Sequence, residues 1–467
     1  MGSTNKQNEL SERMAGINSG TPARKRLLAL FDPDSFVELD AFVKTDAGEA
    51  GVVAGYGLVD GGVVYAFSQD VSADHGAVSK AHAEKVQKIY GLAAKTGCPV
   101  VCIYDSNGAK LSEGNAMLAA YSKMLAWSNN LSGVVPQVAV VLGTCGGVSA
   151  MLAAGADFVV MEKKAELFMT APFTTKAHGD KTEGAGTAEN AAKAGIASFV
   201  CEDEEAALYK TRRLLSLLPQ NNLSDVPRFE FEENADGFDP EGCPKLTVKG
   251  IADADSIIEL SAEYGEGIFT FLGTMAGAPV GFVATSRNNP IDSASCNKAA
   301  RFVKFCDAFN IPVVTFLNSP GFEMTADVRI VREAAKLASV YAEATTAKIG
   351  ILTGKAFGPA YIALGSKNSN ADVTIAWPQA QVSALVPETA VEFLWEDRFK
   401  GTKDVKATRE ALLREYIDTE ASPFKAAEGG FIEAVISPDE TRKYVVNMLD
   451  MLAGKRESKL PKKHTTA

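Results

Sequence analysis

Twice in this 467-residue chain an apolar run breaks at a glycine-bearing turn and enters a stretch of small residues. The two stretches are LGTCGGVSAMLAAGAD at 142–157 and TGKAFGPAYIALGSK at 353–367. Glycine admits positive φ and lets a ligand come close to the backbone. A helix that begins just after such a turn leaves its first N–H groups unpaired and pointing outward. Two adjacent free N–H groups suit a carbonyl oxygen that becomes negative during a reaction. The plainer alternative is a tight strand-to-helix turn with no ligand. Two such turns in register weigh against it.

Other chemistries find little support. GYGLVD at 55–60 opens like a dinucleotide fingerprint but lacks the final glycine, and in GKAFG the lysine precedes the glycines, unlike a phosphate loop. There is no GxSxG elbow and no HExxH. Asp105 and Glu113 read as a turn cap and a first-turn helix acid. His75 and His82, seven apart on an expected helix, read as packing residues. The sequence therefore offers oxyanion donors and no side-chain general base.

The elements that must carry these turns are themselves repeated. PVVCIYDSNGAK at 99–110 is echoed by PVVTFLNSPGFE at 312–323, and both end in an acid or amide followed by Ser-X-Gly. GLVDGGVVYAF at 57–67 resembles GTMAGAPVGFV, 216 residues later, and VAVVLGTCGG at 138–147 resembles IGILTGKAFG, 211 residues later. Each half reads as short apolar strands separated by helices. In the first half these are GVVYAF, a helix near 76–96, PVVCIY, a helix near 113–128, VAVVLG and another helix. That is the pattern of α/β layers around a buried sheet. A segment rich in Pro, Asn, Asp and Gly at 219–244 reads as the linker. The expected domains are 1–225 and 226–467, two copies of one fold.

Composition narrows the partners. The net charge of −11 argues against nucleic acid. An anionic coenzyme needs a local basic cluster, for which Arg24-Lys25-Arg26 is a candidate and a solvated helix face the alternative. The seven cysteines are scattered without a CxxC pair, and the four histidines lack metal-ligand spacing. Reduced thiols in the cytoplasm and no metal are expected. No 18-residue apolar run predicts a membrane span, and MGSTNKQNELSERM lacks the apolar core of a secretory signal.

Long ordered stretches resemble the carboxyltransferase subunits of biotin-dependent acyl-CoA carboxylases, transcarboxylases and sodium-pumping acyl-CoA decarboxylases. They include LLALFDPDSFVELDAFV, SGVVPQVAVVLGTCGG, FMTAP and GKAFGPAYIALGSKNSNADVTIAWPQA. The resemblance implies two tandem crotonase-like α/β domains and a hexamer built from dimers. It implies a site shared between the first domain of one subunit and the second domain of its partner. A short acyl-CoA, acetyl or propionyl, is expected on the first domain and biotin, borne on a separate carrier protein, on the second. A biotin carboxylase or a membrane decarboxylase subunit is a further implied partner, with the chain cytoplasmic or peripheral to a membrane pump. In the implied chemistry carboxybiotin releases CO2, the biotin nitrogen takes the α-proton of the thioester, and the enolate takes up the CO2. The protein then needs placement and N–H donors rather than a base.

Carried over by position, the resemblance puts the acyl-CoA oxyanion site at Gly147 and Val148, with Gly146 shaping the turn. It puts the biotin oxyanion site at Pro359 and Ala360. Phe357 and Gly358 lead into that turn, and Tyr361 and Ile362 face the acyl pocket. Arg24, His75, Gly76, Ala77, Ser106, Asn107, Gly108 and Ala109 are implied acyl-CoA contacts. The helix expected to begin near His75, with Lys80 and Lys85, takes the substrate-facing place. The chain also departs from the family pattern. His75-Gly76-Ala77 stands where two glycines and a serine are usual, and Gly147-Val148 and Gly358-Pro359 stand where Gly-Gly is usual. The segment after Pro320-Gly321-Phe322 is short. Proline has no N–H to donate. Two alternatives stay open: a crotonase-fold hydratase or thioesterase without biotin, and a non-catalytic partner in a mixed ring.

Overall fold

The computed structural model describes residues 2–17, 20–45, 48–234 and 243–460. The chain forms two compact units, Met1–Asp225 and Val226–Ala467. The first holds a seven-stranded sheet in the order Val37–Glu38, Val52–Val59, Gly62–Gln69, Val100–Tyr104, Gln137–Val141, Phe158–Glu162, Phe199–Cys201. The first three strands pair antiparallel and the rest parallel. VVCIY and QVAVV are buried at every residue, as strands covered on both faces require. Helices Lys80–Thr96 and Ala116–Leu131 cover the sheet, and Phe67, Tyr90, Tyr104 and Met124 lie in its core.

The second unit repeats the plan. Its seven strands run in the order Ile258–Leu260, Ile268–Met275, Ala278–Thr285, Val313–Leu317, Lys348–Leu352, Val373–Ala376, Ala434–Val435, with the same antiparallel start. Phe271, Phe282, Ile375 and Trp377 occupy its core.

The repetition extends to the hairpin staples. Asp60-Gly61 joins the long antiparallel pair of the first unit with φ of 50° and 80°, and Ala276-Gly277 joins that of the second with φ of 48° and 74°. Two-residue loops of this left-handed kind match the twist of the strands they join. In the first unit Asp32 accepts the amides of Asp60 and Gly61 and pairs with Arg212 at 2.6 Å. In the second, Asp253 accepts those of Ala276 and Gly277 and pairs with Arg442 at 2.6 Å. A buried lysine also recurs on the helix after each hairpin. Lys85 bonds the Val52 carbonyl at 3.0 Å and lies 3.6 Å from Glu38, and Lys298 bonds the Ser261 carbonyl at 3.2 Å.

One sequence expectation needs correction. The helix expected from 76 begins at Lys80, capped by Ser79, because residues 74–76 form a separate turn with left-handed φ. The segment 219–244 is also fastened down where it is described. Asn222 bonds the Val134 carbonyl of the first unit, and Phe229 bonds the Gly277 carbonyl of the second. Residues 235–242, like His464, lie outside the described residues.

Candidate active site

In the first unit the two sequence-predicted turns meet at one cavity of about 580 Å³, lined by Ser106–Ala109 on one side and Gly146–Val148 on the other. Met117, Leu118, Tyr121 and Phe168 give it an apolar wall. A second cavity, of about 420 Å³, shares Asn107, Ala109 and Leu111 with the first and adds Asp74, His75, Ala77 and Lys110. Gly76 lies beneath this turn, where a Cβ would come 2.5 Å from the Asp105 carbonyl oxygen.

Hydrogen bonding decides which amides remain available. The Ser106 hydroxyl accepts the Gly108 amide at 3.1 Å, and the Asn107 amide goes to the His75 carbonyl at 3.1 Å. Lys110 donates to the Val78 carbonyl at 3.0 Å. Ala109 lies between these bonds, and its amide has no acceptor among the described residues. At the other turn Gly147 takes φ of 60° and donates its amide to the Phe168 carbonyl at 2.9 Å. That bond continues the short parallel pairing of Thr144–Gly146 with Glu166–Phe168. The free amide is therefore that of Val148, first residue of the helix Val148–Gly155. The expectation that Gly147 donates alongside Val148 is corrected to a donor at Val148, with Ala109 lining the same cavity.

Charge is nearly absent from the larger cavity. Among the described residues lining it, Tyr121 is the one acidic or basic side chain, and burial raises its phenol above the ordinary range. Asp105 stays beneath the turn, 2.8 Å from Arg26, and a Cβ at Gly143 would come within 2.0 Å of its carboxylate. Glu113 caps the helix of Lys80, accepting its amide at 2.7 Å, rather than starting a helix of its own.

The two arginines of the basic cluster are spent internally, while Lys25 is exposed. The Arg24 side chain is 11% exposed, paired with Glu38 and lying over the Phe36 ring. Arg26 is held by Asp105 and Glu204. Neither guanidinium lines either of these two cavities, and Arg24, expected as an acyl-CoA contact, is held in a buried pair. Lys85 is likewise buried, whereas Lys80 is exposed.

The second unit builds the same turn with a proline in it. Ser319 accepts the Gly321 amide at 3.1 Å, as Ser106 does for Gly108. Gly358 takes φ of 42°, where a Cβ would come 2.9 Å from the Ala384 carbonyl oxygen. Pro359 follows near the start of the helix Gly358–Leu364. Phe357 pairs with Ser383 in the same parallel register as Gly146 with Phe168, and Ala360 is among the first residues of its helix, whose amides have no partner within the helix. Phe357 and Ala360 are buried, Tyr361 donates to the Phe431 carbonyl at 3.1 Å, and Ile362 is 58% exposed. A cavity of about 860 Å³ in this unit is lined instead by Tyr264, Asn297, Asp327 and Arg332, and Phe357–Ile362 do not reach it.

Sequence reasoning missed Asp74, Lys110 and Tyr121. A signal for the first was present, since Asp-His-Gly joins three residue types that tolerate left-handed φ.

The carboxyl transferase domain family matches residues 20–467. The alpha subunit of methylmalonyl-CoA decarboxylase from Veillonella parvula is 37% identical over 479 residues, covering 95% of this chain and 92% of that protein. The beta5 subunit of the biotin-dependent acetyl-/propionyl-coenzyme A carboxylase of Mycobacterium leprae (strain TN) is 38% identical over 491 residues, covering 95% of this chain and 88% of that protein. A crystal structure of transcarboxylase 12S, a hexamer with methylmalonyl-coenzyme A and methylmalonic acid bound, has a TM-score of 0.90 at 33% identity. It covers 97% of this chain and 93% of its own. The α/β fold of tandem crotonase-like domains stands on this likeness and on the two repeated sheets.

Proposed function

The chain belongs to the carboxyl transferase family, and we propose from that premise that it moves a carboxyl group between carboxybiotin and the α-carbon of a short acyl-CoA. It is the carboxyltransferase subunit of a biotin-dependent propionyl- or methylmalonyl-CoA carboxylase or decarboxylase. The observation that carries the reading is a cavity with free backbone amides and no ionised side chain. A hydratase or thioesterase needs an acid or base within reach of its substrate. A carboxyl transferase site needs donors where charge develops.

The Val148 and Ala109 amides are assigned to the thioester oxygen. Met117, Leu118 and Phe168 take the acyl chain and exclude water, which strengthens each hydrogen bond in the site. Biotin, when bound, supplies the carboxyl group and the base that the side chains lack. The second turn is assigned its ureido oxygen, with the Ala360 amide, among the first of its helix, as donor. Of the Pro359–Ala360 pair only Ala360 can donate, since proline has no N–H. Acyl-CoA is thereby assigned to 1–225 and biotin to 226–467, with Ile362 as a weak determinant of chain length.

The natural partners are a biotin carrier protein and further subunits of a carboxylase or a membrane decarboxylase, and the assembly is a hexamer like that of transcarboxylase 12S. Among the described residues no helix is long and apolar enough to cross a membrane.

The test is turnover of malonyl-CoA and methylmalonyl-CoA by the purified protein, with and without free biotin. Biotin-dependent loss of the α-carboxylate from both is expected, with modest discrimination between them. Hydration of an enoyl-CoA or thioester hydrolysis without biotin overturns the reading. Pro359 favours a second reading, a ring partner with a weakened biotin side. That reading predicts tight acyl-CoA binding with no biotin-dependent turnover until a second, similar chain is added.

A further inference from the structure

Asp74, His75 and Gly76 take left-handed φ one after another, at 50°, 54° and 69°. For Gly76 the reason is steric, because a Cβ there would collide with the Asp105 carbonyl. For His75 the backbone explains nothing, since a histidine is strained where glycine would rest easily. The strain is held by bonds on every side. Gly76 donates to Ala73 at 2.9 Å, Ala77 to Asp74 at 3.0 Å, and Asn107 to the His75 carbonyl at 3.1 Å. A turn fixed this firmly sets the direction of its side chain, and the His75 side chain is exposed and lines the smaller cavity.

The surroundings of that cavity indicate its ligand. Lys110 pairs with Asp74 at 2.9 Å, with the lysine side chain 14% exposed. Its charge is matched, and it braces the wall beside the imidazole. Asn107, Lys110 and Ser112 supply further donors, whereas Asp74 is the single acid on the lining. The larger cavity offers an apolar wall and amides but no cation. An acyl-CoA brings anionic oxygens in two places, the carboxylate of a dicarboxylic acyl group and the phosphates of the coenzyme. Either needs a charged or strongly donating partner that the larger cavity does not provide.

We infer that His75, braced by the Lys110–Asp74 pair, is a substrate-contacting residue that recognises an anionic group of the acyl-CoA in the smaller cavity. The inference rests on the carboxyl-transfer reading and adds a recognition element on the acyl-CoA side.

The experiment is calorimetric titration of wild-type, His75→Gly and His75→Asn protein with malonyl-CoA, acetyl-CoA and S-acetylpantetheine, beside steady-state kinetics with malonyl-CoA. Glycine suits the left-handed φ, so His75→Gly should fold at least as well as wild type. About a tenfold loss of affinity for malonyl-CoA is expected with His75→Gly, appearing in KM more than in kcat, with partial retention in His75→Asn. Loss confined to malonyl-CoA identifies the carboxylate as the ligand. Equal loss for both CoA thioesters but none for S-acetylpantetheine identifies the phosphates. Loss for all three, or affinities within twofold of wild type throughout, overturns the inference while leaving the carboxyl-transfer reading intact. Wild-type protein that binds no acyl-CoA overturns that reading and this inference with it.

Discussion

Gly147 gives its amide to the carbonyl of Phe168, 2.9 Å away, and so leaves the first turn to donate from the next residue, Val148. The two units repeat one fold, yet the residue after the glycine differs in what it can donate. In the first the free amide follows the glycine, at Val148. In the second that next position is Pro359, which has none.

Val148→Pro should therefore separate folding from catalysis. Proline is accommodated at the first helical position, and Gly358-Pro359 shows that a left-handed glycine can precede it in this fold. The variant should fold normally, bind acyl-CoA weakly or normally, and lose about 10²–10³ in turnover through one missing donor. Turnover within threefold of wild type would remove Val148 from the oxyanion role.

Pro359→Gly tests the other side. The substitution adds an N–H beside that of Ala360 and also loosens the turn. Biotin-dependent transfer at saturating biotin should rise, with acyl-CoA affinity unchanged. A fall to background in a folded variant would show that the proline shapes the site more than its missing donor limits it.

His82 should set part of the acid stability. It is fully buried, and its ring nitrogens make no hydrogen bond of ordinary geometry, although the Ala77 and Ala50 carbonyls lie close enough to favour a proton slightly. Burial, and then the nearby Lys85 ammonium, lower its pKa from 6.5 to about 3. Between those values the unfolded chain binds a proton that the folded chain refuses. The histidine's stabilising contribution is thus complete above pH 6.5 and declines by about 1.4 kcal/mol per pH unit as pH falls toward 3. His82→Leu should lose less stability than wild type between pH 7 and about pH 5 in urea unfolding. Parallel losses would mean that His82 does not govern this limb.

Assembly is the fourth expectation. In the second unit Met324, Val328 and Val331 are 102%, 78% and 67% exposed, on and just before the helix Arg329–Glu343. Large apolar side chains grouped this way mark an association surface. Light scattering should report a hexamer, or at least a dimer, and Val331→Glu should shift it toward smaller species. A fully active monomer would contradict the proposed assembly.

The sequence by itself determined the repeated plan. The echo of PVVCIYDSNG in PVVTFLNSPG and the two glycine turns marked strand, turn and helix start in both halves. These features are local: an apolar run, a residue free to take positive φ, and a helix that must begin with unpaired amides. The pairing of Ser106–Ala109 with Gly146–Val148 around one cavity follows from the same strand order.

Tertiary structure decided the donors and the charges. Whether Gly147 has a free amide depends on Phe168, 21 residues away along the chain and brought alongside by parallel pairing. The fate of Arg24 and Arg26 depends on Glu38, Asp105 and Glu204, which no spacing rule connects to them. Hydrogen bonds and ion pairs go to whichever partner the fold delivers. A sequence shows which groups are present, but the fold determines which of them remain free.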